Sequence, residues 1–104
     1  MSNQEINEAV VKMLGLRYRF SQLAGESEGV VVKGCYKDFA RDPAAALWAL
    51  KILKEKHIIK CAGLSLGNDG KWYCTIVWTK HTSNLSALCN TPEEAISRAI
   101  ARME

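Results

Sequence analysis

Apolar residues recur along this chain with two periods, and the change from one to the other marks out its elements. Ile6, Ala9, Val10, Met13 and Leu14 recur at helical spacing. Ser2 and Glu5 stand three apart just ahead of them, where hydroxyl and carboxylate can satisfy the first free N–H groups of a helix, and Gly15 is a natural stop. A helix over about 3–14 is predicted. A second, about 43–56, carries Ala46, Ala49, Leu50 and Leu53 on one face. Asp42-Pro43 opens it, pairing an oxygen-bearing N-cap with a proline at the first helical position, where a missing N–H costs nothing. Thr91-Pro92-Glu93-Glu94 repeats the device before a third helix, about 92–103, with Ala95, Ile96, Ala99, Ile100 and Met103 on one face and Ser97, Arg98, Ala101 and Arg102 on the other.

Between the last two helices the period drops to two. Trp72, Cys74, Ile76 and Trp78 form one face of a strand over about 71–79, and Ala62, Leu64 and Leu66 one face of a strand over about 58–66. A two- or four-residue loop would put Leu66 beside Lys71 and split the apolar sets between faces. A three-residue loop, Asn68-Asp69-Gly70, pairs Leu66 with Trp72, Leu64 with Cys74 and Ala62 with Ile76, and places Gly70 where a left-handed residue forms a bulge. Cys61 then lies opposite Val77, on the other face from Cys74, so those two thiols cannot bridge. The second face, with Tyr73, Thr75 and Val77, is half apolar and is either partly covered or available to a partner. His81 to Asn90 reads as a polar connection.

The stretch from Gly15 to Arg41 is less regular. Arg17-Tyr18-Arg19-Phe20 alternates basic and aromatic residues, Gly25 to Gly29 is a polar loop, and Val30-Val31-Val32 is a β-branched run closed by Gly34. Extra edge strands within 17–34 or an irregular coil both fit.

With 104 residues, 48% hydrophobic and 24% charged, the chain has globular proportions and the length for one core, so a single α+β domain over 1–104 is expected. No apolar stretch approaches the ~20 residues of a membrane span, and Met1-Ser2-Asn3-Gln4-Glu5 lacks the basic-then-apolar order of a secretory signal. The expectation is a cytoplasmic protein. A formal charge of +3, spread along the chain, permits nucleic-acid binding without indicating it. Cys35, Cys61, Cys74 and Cys89 form no CxxC pair, so zinc-ribbon or thioredoxin chemistry is not expected and small buried thiols are.

Catalytic patterns are lacking: there is no HExxH, GxSxG, Walker-type loop or GxGxxG. Gly63, Gly67 and Gly70 punctuate a hairpin, and Asp42, Glu93 and Glu94 are explained by helix N-termini, which leaves Asp38 without a role. His57 at a helix end and His81 at a loop start are the general-base candidates, each better read as structural. The expectation is a protein that is not an enzyme and uses neither cofactor nor metal.

Two sets of residues suggest binding. Trp48 points away from the apolar face of its helix, beside Lys51 and Glu55, and is either covered by other chain segments or an anchor for a partner. Arg17, Tyr18, Arg19 and Phe20, with Lys33 and Lys37, interleave charge and aromatic rings as stacking platforms for nucleic acid do. The half-apolar strand face and Val30 to Val32 could also complete an intermolecular sheet, giving a homodimer through a strand edge.

Three segments carry a family likeness. Asn7-Glu8-Ala9-Val10 through Gly15, Asp42-Pro43-Ala44-Ala45-Ala46, and Thr91-Pro92-Glu93-Glu94-Ala95-Ile96-Ser97-Arg98-Ala99 after a tryptophan-containing strand resemble the phage ABA sandwich domain, a family of small phage and prophage proteins. The chain departs from the family over 16–37. The resemblance implies an α/β/α sandwich in a phage setting and supplies no catalytic residues. By analogy, small phage proteins without chemistry act on a host protein or complex in the host cytoplasm, as anti-CRISPR-like inhibitors of host defence do.

Overall fold

The Ser2 hydroxyl accepts the Glu5 N–H at 3.2 Å and the Glu5 carboxylate accepts the Ser2 N–H at 3.3 Å, so helix α1 (Asn3–Leu14) begins where the capping pair sets it. Gly15, with φ +70°, ends it. The computed structural model describes residues 2–21, 28–79 and 84–103. In it Asp42 accepts the Ala44 N–H at 3.0 Å to start α2 (Pro43–Glu55), and Thr91 accepts the Glu94 N–H at 3.3 Å to start α3 (Pro92–Ala101).

Strands β4 (Ile59–Leu66) and β5 (Trp72–Trp78) form the expected hairpin in the expected register, Leu66 with Trp72, Leu64 with Cys74, Ala62 with Ile76 and Cys61 with Val77. The Gly67 N–H reaches the Lys71 carbonyl at 2.9 Å, and Gly70 takes φ +77°, the left-handed residue of the turn. The supposed connection is different. Asn84–Cys89 is a strand, β6, antiparallel to β5 with Trp72 opposite Cys89 and Val77 opposite Asn84. The large sheet therefore runs β4-β5-β6 and leaves β4 at an edge.

Between α1 and α2 lies a second antiparallel sheet, β1 (Arg19–Phe20), β2 (Val30–Val32) and β3 (Cys35–Lys37), in that order. The β2–β3 turn is Lys33-Gly34, both at positive φ (53° and 80°), the two-residue hairpin whose twist suits its strands. The valines are thus not a free edge. Val30, Val31 and Val32 form the central strand and are buried, which withdraws them from any intermolecular sheet. The polar loop expected over 25–29 falls largely outside the described residues, and His81 lies outside them altogether.

The class is α+β, as expected: three helices and two three-stranded antiparallel sheets among the described residues. Helices α2 and α3 pack on each other and on the large sheet, against the face that buries Cys74 and Ile76. Helix α1 packs on α3 and α2 and reaches β2. That placement buries Ser97 and Ala101 as well as the predicted stripe of α3, because α1 covers the side expected to face solvent. Ile96, Ile100 and Met103 are buried together and contribute roughly 1.5–3 kcal/mol each.

A polar knot ties the irregular segment to α1. The fully buried Asn7 side chain donates to the Glu28 carbonyl at 2.8 Å and to Asp38 Oδ1 at 3.0 Å, and accepts the Ala40 N–H at 3.1 Å. Arg41 closes the knot, 2.6 Å from Asp38 and 3.1 Å from Glu28. Asp38 therefore has a structural role. Asn7→Ala takes a partner from Asp38 Oδ1, from the Glu28 carbonyl and from the buried Ala40 N–H, and should lower unfolding stability by about 2–3 kcal/mol in urea titration, whereas Asn3→Ala should change it by less than about 0.5 kcal/mol.

Candidate functional site

The histidine at the end of α2 has a conformational role. His57 sits at φ +59°, its N–H bonded to the Lys54 carbonyl at 3.1 Å and the following Ile58 N–H to the Leu53 carbonyl at 3.0 Å. This is the Schellman ending, in which one left-handed residue reverses the chain, here from α2 directly into β4. Asp42, Glu93 and Glu94 occupy helix openings. Among the described residues no group of three His, Cys, Asp or Glu side chains is placed to hold a metal ion. No described helix is long and apolar enough to cross a membrane.

The cysteines correct an expectation. Cys74 and Cys89 are buried, but Cys35 and Cys61 are exposed, because each lies on an edge strand, β3 or β4, on positions no helix covers. Burial pushes the Cys74 thiol up to about 11 and raises Cys89 by the same cause.

The residues proposed for binding fall into separate groups. The Trp48 ring stacks on Phe39, centroids 6.3 Å apart and planes 11° apart, and the Lys37 ammonium lies 4.6 Å above it. Half-buried Trp48 is thereby accounted for by packing, with segment 37–39 as its cover; Lys51 and Glu55 remain exposed along the same side of α2. Tyr18 turns back to α1, its hydroxyl donating to Glu8 at 3.1 Å, and meets Phe20 edge-on at 5.9 Å. Bonds from Lys12 and from Tyr18 hold the Glu8 carboxyl below its usual range. Strand alternation puts the exposed Arg19 on the opposite face from Phe20, and Arg17, ahead of the strand, is exposed as well. Charge and ring therefore do not interleave on one surface. Phe20, Val30 and Lys37 form one cross-strand row, leading to Trp48, while exposed Lys33 stands in the turn.

Phe20 is 38% exposed in that row, and the other large apolar side chains left in solvent lie elsewhere. Leu64 (41% exposed), Leu66 (58%), Tyr73 (37%) and Leu88 (47%) all belong to the β4-β5-β6 sheet, and Leu47 (56%) to the neighbouring α2. They form two surfaces. Tyr73 and Leu88 are directly paired on the outer face, where the Asp69 carboxylate, lowered by the Lys71 N–H and by the Tyr73 hydroxyl, fixes the tyrosine at 3.2 Å. Leu64 and Leu66 lie on the other face of β4, at the open edge beyond the helices. The leucines were visible in the sequence as core candidates. Their exposure was not, because it depends on which side of β5 the third strand takes.

Two outcomes check this assignment. His57→Gly relieves a left-handed β-substituted residue and should raise stability by about 1 kcal/mol in urea titration with the fold intact. Thiol titration of the native protein should modify Cys35 and Cys61 rapidly, and Cys74 and Cys89 only when denaturant is added. Searched against protein-family models, curated proteins and solved structures, the chain matches none of them.

Proposed function

We propose that this chain is a non-enzymatic binding protein whose β4-β5-β6 sheet docks on a host protein, in the manner of a phage accessory protein that inhibits a host-defence complex. The observation that carries the binding reading is the exposed Tyr73–Leu88 cross-strand pair on the outer face of the sheet, which no described helix covers. Exposed aromatic and aliphatic groups gathered in one place mark interaction surfaces, whereas scattered ones do not. Tyrosine suits such a surface, because it offers a large rigid ring at low entropic cost and a polar tip. The phage setting and the host-defence partner rest on the resemblance of the three sequence segments alone. The basic and aromatic residues of 17–37 support nucleic acid less well, since the Tyr18 hydroxyl is bonded to Glu8 of α1, Lys37 is engaged over Trp48, and Arg19 faces away from the exposed Phe20.

The test compares the wild-type chain with Tyr73→Glu/Leu88→Glu, two exposed positions whose replacement leaves the core untouched. A host protein retained from bacterial lysate by the wild type, and reproduced with that protein purified, should bind the double variant at least about tenfold more weakly while its far-ultraviolet spectrum stays that of the folded chain. Equal retention by both chains would reject the outer face as the docking surface.

A further inference from the structure

The backbone of β4 has a free side. Because the Gly67 N–H points to Lys71 on β5, alternation directs Ser65, Gly63 and Cys61 inward to β5 and aims the N–H and C=O groups of Leu66, Leu64 and Ala62 away from it. No described strand takes them, since β4 neighbours only β5. Natural sheets guard such edges with charges, prolines, bulges or brevity. Here the guards stand at one end only: a register irregularity between Ile59 and Cys61, and the Lys60 carbonyl capped by Lys54 Nζ at 2.6 Å. From Cys61 to Leu66 there is no charge and no proline.

We infer that this edge pairs with the same edge of a second copy, antiparallel about a two-fold axis through Leu64, joining two sheets into one of six strands. Three observations fix the occupant and the register. First, the outward groups are symmetric about Leu64. With Leu64 opposite itself, Ala62 meets Leu66 and Leu66 meets Ala62, so every outward N–H and C=O finds a partner; a shift of two residues either way sets one of them against Lys60, whose carbonyl is taken, or against Asn68 in the turn. Second, the side chains match. These positions share the inner face, so the half-exposed Leu64 and Leu66 of each copy meet apolar residues of the other. Exposed Leu47 lies on the same side, because Lys54, seven residues on along α2, reaches β4. The axis is perpendicular to the sheet, so the α2 helices of both copies flank it on one face. Third, the charges fit: Lys60 falls opposite Asn68 of the second copy, one residue from its Asp69, and no like charges face each other between. On the outer face Gly63, with open space where a Cβ would stand, faces Ser65 of the second copy. Of the other described edges, β1 has two residues and β3 three, while β6, the far edge of the same sheet, is the alternative that a dimer indifferent to Leu64→Arg would point to.

The inference stands apart from the host partner, and its test separates the two. Sedimentation of the full chain should give twice 11.6 kDa at high protein concentration. Leu64→Arg, which sets two cations at the axis, should raise the dimer dissociation constant about 100-fold or more while keeping the far-ultraviolet spectrum, and Tyr73→Glu/Leu88→Glu should leave it unchanged. For register, Leu64→Cys in a Cys35→Ser/Cys61→Ser background should cross-link to itself on mild oxidation, as the roughly 5.5 Å Cα separation of such a pair allows. Gly63→Cys and Ser65→Cys chains should cross-link to each other and neither to itself. A monomer at every concentration overturns the inference, even where host-protein retention persists. So does a dimer indifferent to Leu64→Arg, which would lie at another edge, and self-cross-linking at position 63 or 65 overturns the register.

Discussion

Burial of α3 on every side but the one carrying Glu94, Arg98 and Arg102 is the constraint on which the rest of this structure depends. Ala95, Ile96, Ser97, Ala99, Ile100 and Ala101 are all buried, because the helix meets α1 and α2 as well as β5 and β6. A ten-residue helix has little stability of its own, so its packing supplies nearly all of it. The buried Ser97 is tolerated because its hydroxyl donates back to the Glu94 carbonyl at 3.2 Å, within the helix itself. Much of the core thus passes through one short element, which Thr91 and Pro92 start at a fixed point just after β6.

Those parts of the fold that local chemistry decides were legible. The Ser2–Glu5 box, the Asp42 and Thr91 caps and the Asn68-Asp69-Gly70 turn each have one low-energy solution, and the register of β4 against β5 follows because any other loop splits the apolar faces. Strand β6 was missed although Leu85, Ala87 and Cys89 alternate with Asn84, Ser86 and Leu88 in sequence. Asparagine, serine and alanine are poor strand formers, and His81-Thr82-Ser83 ahead of them extends the polar impression. The β1-β2-β3 sheet was half seen for a different reason. Its strands are two or three residues long and are held by Asn7, which lies far away in sequence and inside a helix whose period it interrupts. For the candidate site the loss was greater, because exposure is a property of layers. Leu64 and Leu66 read as core in any sequence pattern, and only the strand order puts them at an edge.

The Asn7 knot also explains why a sheet face is left bare. By binding Glu28, Asp38 and Ala40, Asn7 commits one side of α1 to the segment carrying β2 and β3, and its other contacts go to α3 and α2. Helices α2 and α3 are on the Cys74–Ile76 face. With all three described helices so engaged, none is left for the face with Tyr73 and Leu88. The bonded pair of Asp69 and Tyr73 raises the tyrosine's pKa and keeps its hydroxyl protonated, so the exposed ring is held in one place without becoming charged.

The edge and the outer face can serve two partners at once because a strand alternates. Along β4 the outward backbone groups belong to Ala62, Leu64 and Leu66, whose side chains lie on the inner face, while the outer-face positions Cys61, Gly63 and Ser65 point their backbone groups to β5. Pairing at the edge therefore uses residues that a ligand on the outer face never touches. In the two-fold arrangement the outer faces of both copies become one continuous surface carrying two Tyr73–Leu88 pairs, one on each side of the axis. A partner with two equivalent epitopes, or a symmetric complex, would then be held at both, and the second contact forms at the high effective concentration set by the first. Symmetry would thereby let a small, half-polar face contribute twice to one contact.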